Sequence, residues 1–249
     1  MKSTIRNAFV TAGAKTIRSL EQLMARQSEV GNPAFFDRDI FPWRREFETH
    51  WRTIRGELEQ VLPQKDRLPN FQDISRDQRH LSQDDRWKTY FFYALGQKAA
   101  TGTERCPETL RIIESLPGMQ TAFFSILAPG KRIPPHRGAF KGVIRYHLGL
   151  IVPEPRERCW IRVGTEVRHW AEGESLVFDD TYEHEVHNDT DGWRAVLFLD
   201  IVRPLRFPAS ALNATVLRAV RASPFVQDGV QNYRAWEAKL DQASPASAP

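Results

Sequence analysis

The chain is poor in cysteine, with Cys106 and Cys159 as the only two in 249 residues. Two cysteines are too few for the disulfide framework of a small secreted domain, and they lack the CxxC spacing of a zinc or redox site. We therefore expect both to be reduced packing residues.

The sequence also lacks a long hydrophobic run. No stretch approaches the roughly 18 consecutive apolar residues that a membrane-spanning helix needs. The first segment has neither the apolar centre nor the small-residue cleavage site of a signal peptide. These absences predict a cytoplasmic protein, and 249 residues, 41% of them hydrophobic, are enough to bury the core of one catalytic domain.

A large excess of charge of one sign is missing as well. The formal net charge is +4. Residues 1–26 account for all of it, because they hold five lysines and arginines against Glu21. A groove that follows a phosphate backbone needs basic residues spread among aromatics across a domain. The charge distribution therefore argues against a nucleic-acid partner.

The first segment combines its basic residues with an apolar stripe. The stripe recurs at helical spacing in Ile5, Phe9, Ile17, Leu20 and Met24. This spacing predicts a basic amphipathic helix within residues 1–30. Two interpretations stay open: a helix packed on its own domain, or one in peripheral contact with an anionic membrane at the inner face of the cytoplasmic membrane.

Residues 31–118 are predicted to form a helical and loop region that packs on the main domain. One helix is indicated by a stripe of Phe47, Trp51, Ile54, Leu58 and Val61. A second, short helix is predicted from Pro107 to Leu116. Between them, residues 63–86 are polar, which indicates a long surface loop that either acts as a lid or is disordered.

From Thr121 onward, short β-rich runs alternate with glycine turns. The runs are Thr121–Leu127, Val143–Val152, Trp160–Val163, Val167–Trp170, Ser175–Phe178 and Ala195–Val202. Many short strands with such turns predict a sandwich or barrel. We predict a mainly β fold, a double-stranded β-helix (jelly roll, cupin-like) with N-terminal and peripheral helices. Its catalytic core is assigned to residues 119–206, followed by a C-terminal helical segment at 207–242 and a flexible tail at 243–249.

His136 and His184 lie in separate β segments and are the candidate metal ligands. Strands of a jelly roll face one cavity, so two distant histidines can converge there. Gly138 follows His136 closely and leaves room beside a metal. Asp180, four positions before His184, is predicted to orient an imidazole through its second nitrogen, or else to be a turn residue. Imidazole binds iron, zinc and copper alike, so the histidines alone do not select the metal.

Arg194 follows His184 by ten positions and opens the apolar strand at 195–199. A buried arginine is costly unless it meets an anion, and its planar fork matches a carboxylate. The distal carboxylate of 2-oxoglutarate is one such anion. An internal pair between Arg194 and an aspartate is the structural alternative.

The segments that hold these residues resemble the aspartyl/asparaginyl β-hydroxylase family of Fe(II)/2-oxoglutarate-dependent dioxygenases. The matching pieces, in family order, are Ser125–Gly130, Pro135–Gly138, Ile144–Leu150, Trp170–Glu174, Phe178–Glu185 and Arg194–Asp200. The resemblance spans residues 125–204, about a third of the chain. It implies an enzyme that uses Fe(II), 2-oxoglutarate and O2.

The resemblance also implies which residues hold the metal. His136 and His184 would bind Fe(II). Most iron oxygenases add a carboxylate two positions after the first histidine, whereas this chain has Gly138 there, a gap that the family shares. The glycine leaves room for chloride, as in related halogenases, so halogenation stays open.

The co-substrate residues follow in the same way. Ser125 and Arg194 would bind the distal carboxylate of 2-oxoglutarate, and Arg145 with His147 would contact its other end. A histidine in an alternating strand such as His147 is equally compatible with a core residue whose polar atoms are satisfied.

Within the family, the sequence is most similar to the bacterial branch that hydroxylates fatty acyl chains. That similarity lies in Trp87-Lys88, Cys106–Thr109, Thr181-Tyr182 and Arg203-Pro204. It implies hydroxylation of an unactivated C–H bond in lipid A or a related aminolipid. Candidate substrate contacts are Arg137, Phe140, Tyr182 and Trp87.

Two alternatives remain. One is β-hydroxylation of aspartyl or asparaginyl residues, or of an amino-acid derivative. The other belongs to a different class, a non-catalytic cupin-like metal-binding protein, which would use three or four protein ligands.

Overall fold

The computed structural model describes residues 19–99 and 105–242. Most of the first predicted helix and the predicted tail at 243–249 lie outside the described residues. Within the described ranges, no helix combines the length and the apolar character needed to cross a bilayer.

Two antiparallel sheets form the centre of the protein. Within the described residues their strands are β1 (Trp87–Ala94), β2 (Gln97–Lys98), β3 (Met119–Leu127), β4 (Arg132–His136), β5 (Val143–Ile151), β6 (Cys159–Val163), β7 (Glu166–His169), β8 (Ser175–Phe178), β9 (His184–Asn188) and β10 (Arg194–Val202). The larger sheet has the order β2-β1-β3-β10-β5-β8, and the smaller has β4-β9-β6-β7.

The strand order identifies the architecture. Counted from β3, the larger sheet holds the first, eighth, third and sixth strands, and the smaller holds the second, seventh, fourth and fifth. This alternation between two sheets is the winding of a double-stranded β-helix. The predicted jelly roll is therefore confirmed, with β1 and β2 extending the larger sheet at one edge.

Helices surround the larger sheet. In the part of the chain that the structure describes they are α1 (19–27), α2 (Arg44–Thr49), α3 (Trp51–Val61), α4 (Phe71–Ile74), α5 (Pro107–Glu114), α6 (Ala209–Arg221) and α7 (Pro224–Gln242), with 3-10 turns at Arg38–Ile40, Leu62–Arg67, Arg76–Leu81 and Arg156–Arg158. The stripe predicted for α3 is real, since Ile54 and Leu58 are fully buried. Both join the core on the outer face of the sheet.

The prediction of a long loop at residues 63–86 is wrong. Two 3-10 turns and α4 occupy most of this segment. Its sparse apolar residues are its anchors: Phe71 stacks on Trp87 with ring centroids 4.0 Å apart, and Ile74 and Leu81 are buried. One buried side chain per turn suffices here because neighbouring elements cover it.

Successive side chains of β10 point alternately to the helix-covered core and to the inside of the jelly roll. Leu197 and Leu199 belong to the main apolar core beneath the helices. Arg194, Phe198 and Asp200 have the opposite parity and therefore face the inside of the jelly roll. The functional residues of the larger sheet lie on this inner face.

The described part of α1 packs on the domain. Met24 is fully buried and contacts Leu205 and Ala209 at the start of α6. Residues 19–27 therefore agree with the interpretation of a helix packed on its own domain.

Candidate active site

The topology places the two candidate ligands side by side. His136 ends β4 and His184 begins β9, and their Cα atoms are partners in the ladder between these strands. The ring centroids are 4.0 Å apart. Two imidazoles on adjacent strands of one sheet therefore point into the same space, as the sequence predicted.

The main chain fixes the orientation of both rings. Nδ1 of His136 lies 2.8 Å from the carbonyl oxygen of Pro134, and Nδ1 of His184 lies 3.0 Å from that of Tyr182. A carbonyl oxygen only accepts, so each Nδ1 carries the proton and each Nε2 keeps its lone pair. The predicted role of Asp180 in orienting an imidazole falls to these carbonyls instead.

Burial keeps both rings neutral. It lowers the pKa of His136 and, helped by the neighbouring His136, lowers the pKa of His184 to about 3. A neutral imidazole with a free Nε2 is the form that binds a metal. The pair therefore fits a metal ion held by two histidines.

Arg194 is the buried cation of the site. It is 1% exposed, and burial lowers the pKa of its guanidinium to about 10. Within residues 19–99 and 105–242, no carboxylate forms an ion pair with it. Its Nε has no hydrogen-bond partner, and its Nη1 makes a long 3.4 Å bond to the carbonyl oxygen of Ser125. The alternative of an internal Arg–Asp pair is thereby excluded for the described chain.

Further polar groups surround this guanidinium. Trp170 lies beneath it, with 4.6 Å between the guanidinium carbon and the ring centroid. Trp87 donates its indole N–H to the hydroxyl of Ser125 over 3.1 Å. His147 is buried, and neither of its ring nitrogens has a partner. A buried polar atom left unpaired costs about 1–3 kcal/mol. His147 is therefore not the core histidine with satisfied polar atoms that the sequence left open, and its contact with a ligand stays a prediction.

Arg145 lies at the other end of the cavity and is already paired. Its Nη2 is 2.9 Å from a carboxylate oxygen of Asp180, and its Nε is 3.0 Å from one of Asp200. Burial raises the pKa of Asp180, and its second oxygen has no partner. The contact of Arg145 with 2-oxoglutarate, implied by the family resemblance, stays a prediction.

Asp180 fills the space beside Gly138. The Gly138 N–H donates to the carbonyl oxygen of Asp180 over 2.7 Å, and a Cβ added at Gly138 would overlap the Asp180 carboxylate. The room that the sequence predicted for chloride is thus taken by an anionic side chain, which disfavours halogenation.

Replacing Gly138 by alanine is expected to lower both thermal stability and turnover. The added methyl group forces the Asp180 carboxylate away from Arg145, and breaking a buried pair costs about 3–5 kcal/mol. Thermal unfolding and product formation measure the two effects. In the Asp180→Gly background the added methyl group should cost little further stability, because the overlap is gone while the pair with Arg145 is already lost; additive losses in Gly138→Ala/Asp180→Gly would contradict this explanation.

A buried ion cluster supports the turn before His184. Asp179 accepts from Lys141 and from Arg203, each over 2.5 Å, while its other oxygen accepts from the Thr181 hydroxyl over 2.5 Å. Arg203 in turn donates to the Lys141 carbonyl oxygen over 2.7 Å. The cluster ties the segment after His136 to the segment before His184 and so fixes the distance between them.

The predicted substrate contacts are dispersed. Arg137 is exposed and donates to the Thr181 carbonyl oxygen. Phe140 packs toward Met24, and Tyr182 donates its hydroxyl to the Asn32 carbonyl oxygen. Trp87 donates its indole N–H to the Ser125 hydroxyl. Their contact with a substrate stays a prediction.

Sequence reasoning missed Asp200 and Trp170 as site residues. Asp200 binds Arg145, and Trp170 lies under Arg194. A signal existed for Asp200: it lies six positions after Arg194 in an apolar strand, and an even spacing puts both on one face.

No group of three or more histidine, cysteine or acidic residues able to hold a metal occurs in the described ranges.

Comparison with known proteins decides the family. The family described as Aspartyl/Asparaginyl beta-hydroxylase matches residues 48–204, which is more than half of the chain. This chain belongs to the aspartyl/asparaginyl β-hydroxylase family. It is therefore a member of a family of hydroxylases, and the matched range contains both histidines and Arg194.

The relatives of this hydroxylase differ in what their names say they act on. The chain is 46% identical over 220 residues to an ornithine lipid ester-linked acyl 2-hydroxylase of Rhizobium tropici, covering 88% of this chain and 78% of that protein. It is 29% identical over 165 residues to human aspartyl/asparaginyl beta-hydroxylase, covering 64% of this chain but 21% of the human protein.

Solved structures match this chain at low sequence identity. A Pseudomonas putida prolyl-4-hydroxylase matches with a TM-score of 0.43 and 16% identity, covering 61% of this chain and 87% of that one. A cupin domain of an Enterobacter cloacae transcriptional regulator matches with a TM-score of 0.32 and 16% identity, covering 47% and 96%. The fold assignment itself stands on the strand order given above.

Proposed function

We propose that this hydroxylase is an Fe(II)/2-oxoglutarate-dependent dioxygenase that hydroxylates the fatty acyl chain of an aminolipid. The observation that carries the proposal is Arg194, a buried guanidinium without a carboxylate partner among the described residues. It faces the same interior as His136 and His184. A dicarboxylate co-substrate would supply the missing anion.

The histidine pair would hold the metal. His136 and His184 present neutral rings whose Nε2 atoms keep their lone pairs, and no third histidine, cysteine or acidic residue completes a metal-binding group with them among the described residues. Bound there, Fe(II) would supply the oxidation of an unactivated C–H bond with O2 and 2-oxoglutarate. The non-catalytic alternative requires the three or four protein ligands that the described residues do not provide.

The other site residues would bind and orient the co-substrate. Arg194 can donate two parallel N–H bonds to one carboxylate, a geometry that fixes its direction as well as its position. The Ser125 hydroxyl accepts from Trp87 and so points its own hydrogen away from the indole. His147, buried and neutral, offers one N–H donor to the same ligand. Aromatic walls around them exclude water from the reacting carbon.

The lipid substrate is proposed from similarity over most of the chain. The similarity to the Rhizobium tropici relative covers 78% of that protein at 46% identity, whereas the similarity to the human aspartyl/asparaginyl relative covers 21% of the human protein. The proposal includes a cytoplasmic location with peripheral contact at the inner membrane face, where such lipids are accessible. Hydroxylation of an aspartyl or asparaginyl residue remains the second candidate.

A reaction with defined lipids tests the proposal. We expect the protein with Fe(II), 2-oxoglutarate and O2 to release succinate and to add the mass of one oxygen atom to a synthetic ornithine lipid. Arg194→Met and omission of 2-oxoglutarate should each remove the product. Modification of an aspartyl peptide but not of the lipid would overturn the substrate assignment.

A further inference from the structure

A cavity of about 390 Å³ opens on the inner face of the larger sheet. Its floor is a row of three aromatic rings on neighbouring strands. Phe91 of β1 stacks on Phe123 of β3 at 4.6 Å, and Phe123 lies 4.2 Å from Phe198 of β10. The volume is within the range of small-molecule sites.

Two helical elements form the roof. Phe71 and Ile74 of α4 line one side, and Val226, Gly229 and Val230 of α7 line the other. Most of the lining residues are therefore aliphatic or aromatic. The roof combines α4, which precedes the jelly roll in the sequence, with α7, which follows it.

One end of the cavity lies at an ion pair that leads toward the candidate metal site. Arg145 and Asp200 line one end of it, and the Arg145 guanidinium lies 4.4 Å from the Phe198 ring centroid. The same guanidinium binds Asp180, which lies against Gly138, two positions after His136. The Arg145 end of the cavity is therefore connected to the candidate metal site through this ion pair, although neither histidine lines the cavity itself.

The lining chemistry discriminates between the candidate substrates. Among the described residues that line the cavity, Arg145 is the one cation, and its guanidinium already pairs with two carboxylates. An aspartyl side chain would meet Asp200 and Asp228 without a free cation. A hydrocarbon chain needs only the apolar walls.

We propose that this cavity is the binding site for the distal part of the acyl chain, from the carbons beyond the hydroxylated position to the methyl end. The proposal rests on the function proposed above and adds where the chain runs: over the Phe198, Phe123 and Phe91 rings and beneath α4 and α7. Removal of each buried methylene from water is worth about fourfold in affinity, so the cavity sets chain-length preference.

Gly229 provides a direct test. A Cβ at Gly229 would meet the main-chain oxygen of Ile74 at 3.5 Å, an ordinary contact, so alanine fits, whereas leucine extends into the cavity. For Gly229→Leu we expect kcat/KM for a palmitoyl ester-linked ornithine lipid to fall at least about tenfold relative to that for an octanoyl one. Gly229→Ala, which adds a single methyl group, should change the ratio far less than Gly229→Leu does.

Two further variants guard against a folding defect. Ala94→Leu narrows the cavity from β1 and should change the ratio in the same direction. Ala235→Leu adds the same bulk on the exposed face of α7 and should leave the ratio unchanged. Equal losses for both lipids, or an unchanged ratio in both cavity variants, would overturn the proposal.

Binding separates this inference from the proposed function. Displacement of a fluorescent long-chain fatty acid from the metal-free protein by palmitate, compared with octanoate, measures cavity occupancy without turnover. We expect tight palmitate binding in the wild type and at least about tenfold weaker binding in Gly229→Leu. If neither lipid is hydroxylated but this pattern holds, the function fails and the cavity assignment stands; absence of binding refutes the cavity assignment.

Discussion

Replacing His136 by alanine is expected to lower Fe(II) affinity by more than about 100-fold and to abolish hydroxylation. Loss of a residue that merely supports a metal ligand costs roughly 10–100-fold in affinity or activity, and the loss of a ligand itself exceeds that. The expected effect is large because His136 would be one of two protein ligands in the proposed site, and no group of three or more possible ligands occurs among the described residues. Anaerobic calorimetric titration with Fe(II), followed by product mass spectrometry, measures both losses.

His187→Ala is the matched control for this variant. His187 lies on β9, the strand that begins with His184, but its ring stacks on Trp160 with centroids 3.9 Å apart and pairs with Glu185 at 3.0 Å. Its removal takes an imidazole from the same small sheet without touching the site. Equal Fe(II) binding by His136→Ala and wild type, or equal losses in both variants, would show that the metal binds elsewhere.

Four strands of the larger sheet, β3, β5, β8 and β10, could be predicted because their sequences are mostly apolar, whereas β1 and β2 lie in the region predicted to be helical and loop. The runs at Thr121–Leu127 and Ala195–Val202 are apolar along most of their length, since one face packs under helices and the other closes the interior. β4 and β9 gave no such signal. β4 contains Pro134-Pro135, and β9 alternates polar residues with Val186, so pairing in the small sheet, and not local propensity, makes them strands.

The site was partly readable for a related reason. Arg194 could be singled out because it opens an apolar strand and arginine is almost never fully buried unless it is paired. His136 and His184 could be singled out because imidazole binds metals and Gly138 and Asp180 accompany them. The pairing of Arg145 with Asp180 and Asp200 was not readable. It joins a strand, a turn and a second strand, and only the register of β5 against β10, with Arg145 opposite Asp200, brings them together.

The cavity proposed to bind the acyl chain could not be predicted from any local sequence pattern. Phe91, Phe123 and Phe198 each look like an ordinary core residue within its own strand. A cavity remains over these three rings because α4 and α7 pack above them without filling the space. These two helices are far apart in the sequence, so no local pattern shows that they meet here. Residues 63–86 were predicted to be a loop because most of them are polar, so α4 was missed. Its contacts with the sheet come from Phe71 and Ile74.

Arg194→Met is expected to weaken 2-oxoglutarate binding by at least about 30-fold, since losing one partner of a buried, hydrogen-bonded charge pair costs about 2–5 kcal/mol. The thermal stability of the ligand-free protein should rise in the same variant. Burial lowers the pKa of Arg194, so the folded state binds this proton less tightly than the unfolded state. At neutral pH the buried charge therefore opposes folding, and an uncharged methionine side chain relieves that cost, less the cation–π contact with Trp170.

Arg203→Met separates this explanation from a general effect of removing a buried arginine. Arg203 is also 1% exposed, but it binds Asp179 over 2.5 Å and helps hold the cluster before His184. Its loss leaves Asp179 with fewer donors, and breaking a buried pair costs about 3–5 kcal/mol. We expect a lower Tm for Arg203→Met and a higher one for Arg194→Met.

Thermal unfolding with and without 2-oxoglutarate, in the presence of Mn(II), distinguishes a ligand-binding arginine from a structural one. A ligand at a hundred times its Kd stabilises the folded state by about 2.7 kcal/mol, so 2-oxoglutarate should raise the Tm of the wild type and of Arg203→Met but not of Arg194→Met. A destabilised Arg194→Met that still responds to 2-oxoglutarate would make Arg194 a structural residue. Opposite signs in the free and bound protein are expected because Arg194 is buried without a carboxylate partner among the described residues, and the proposed ligand would supply that carboxylate.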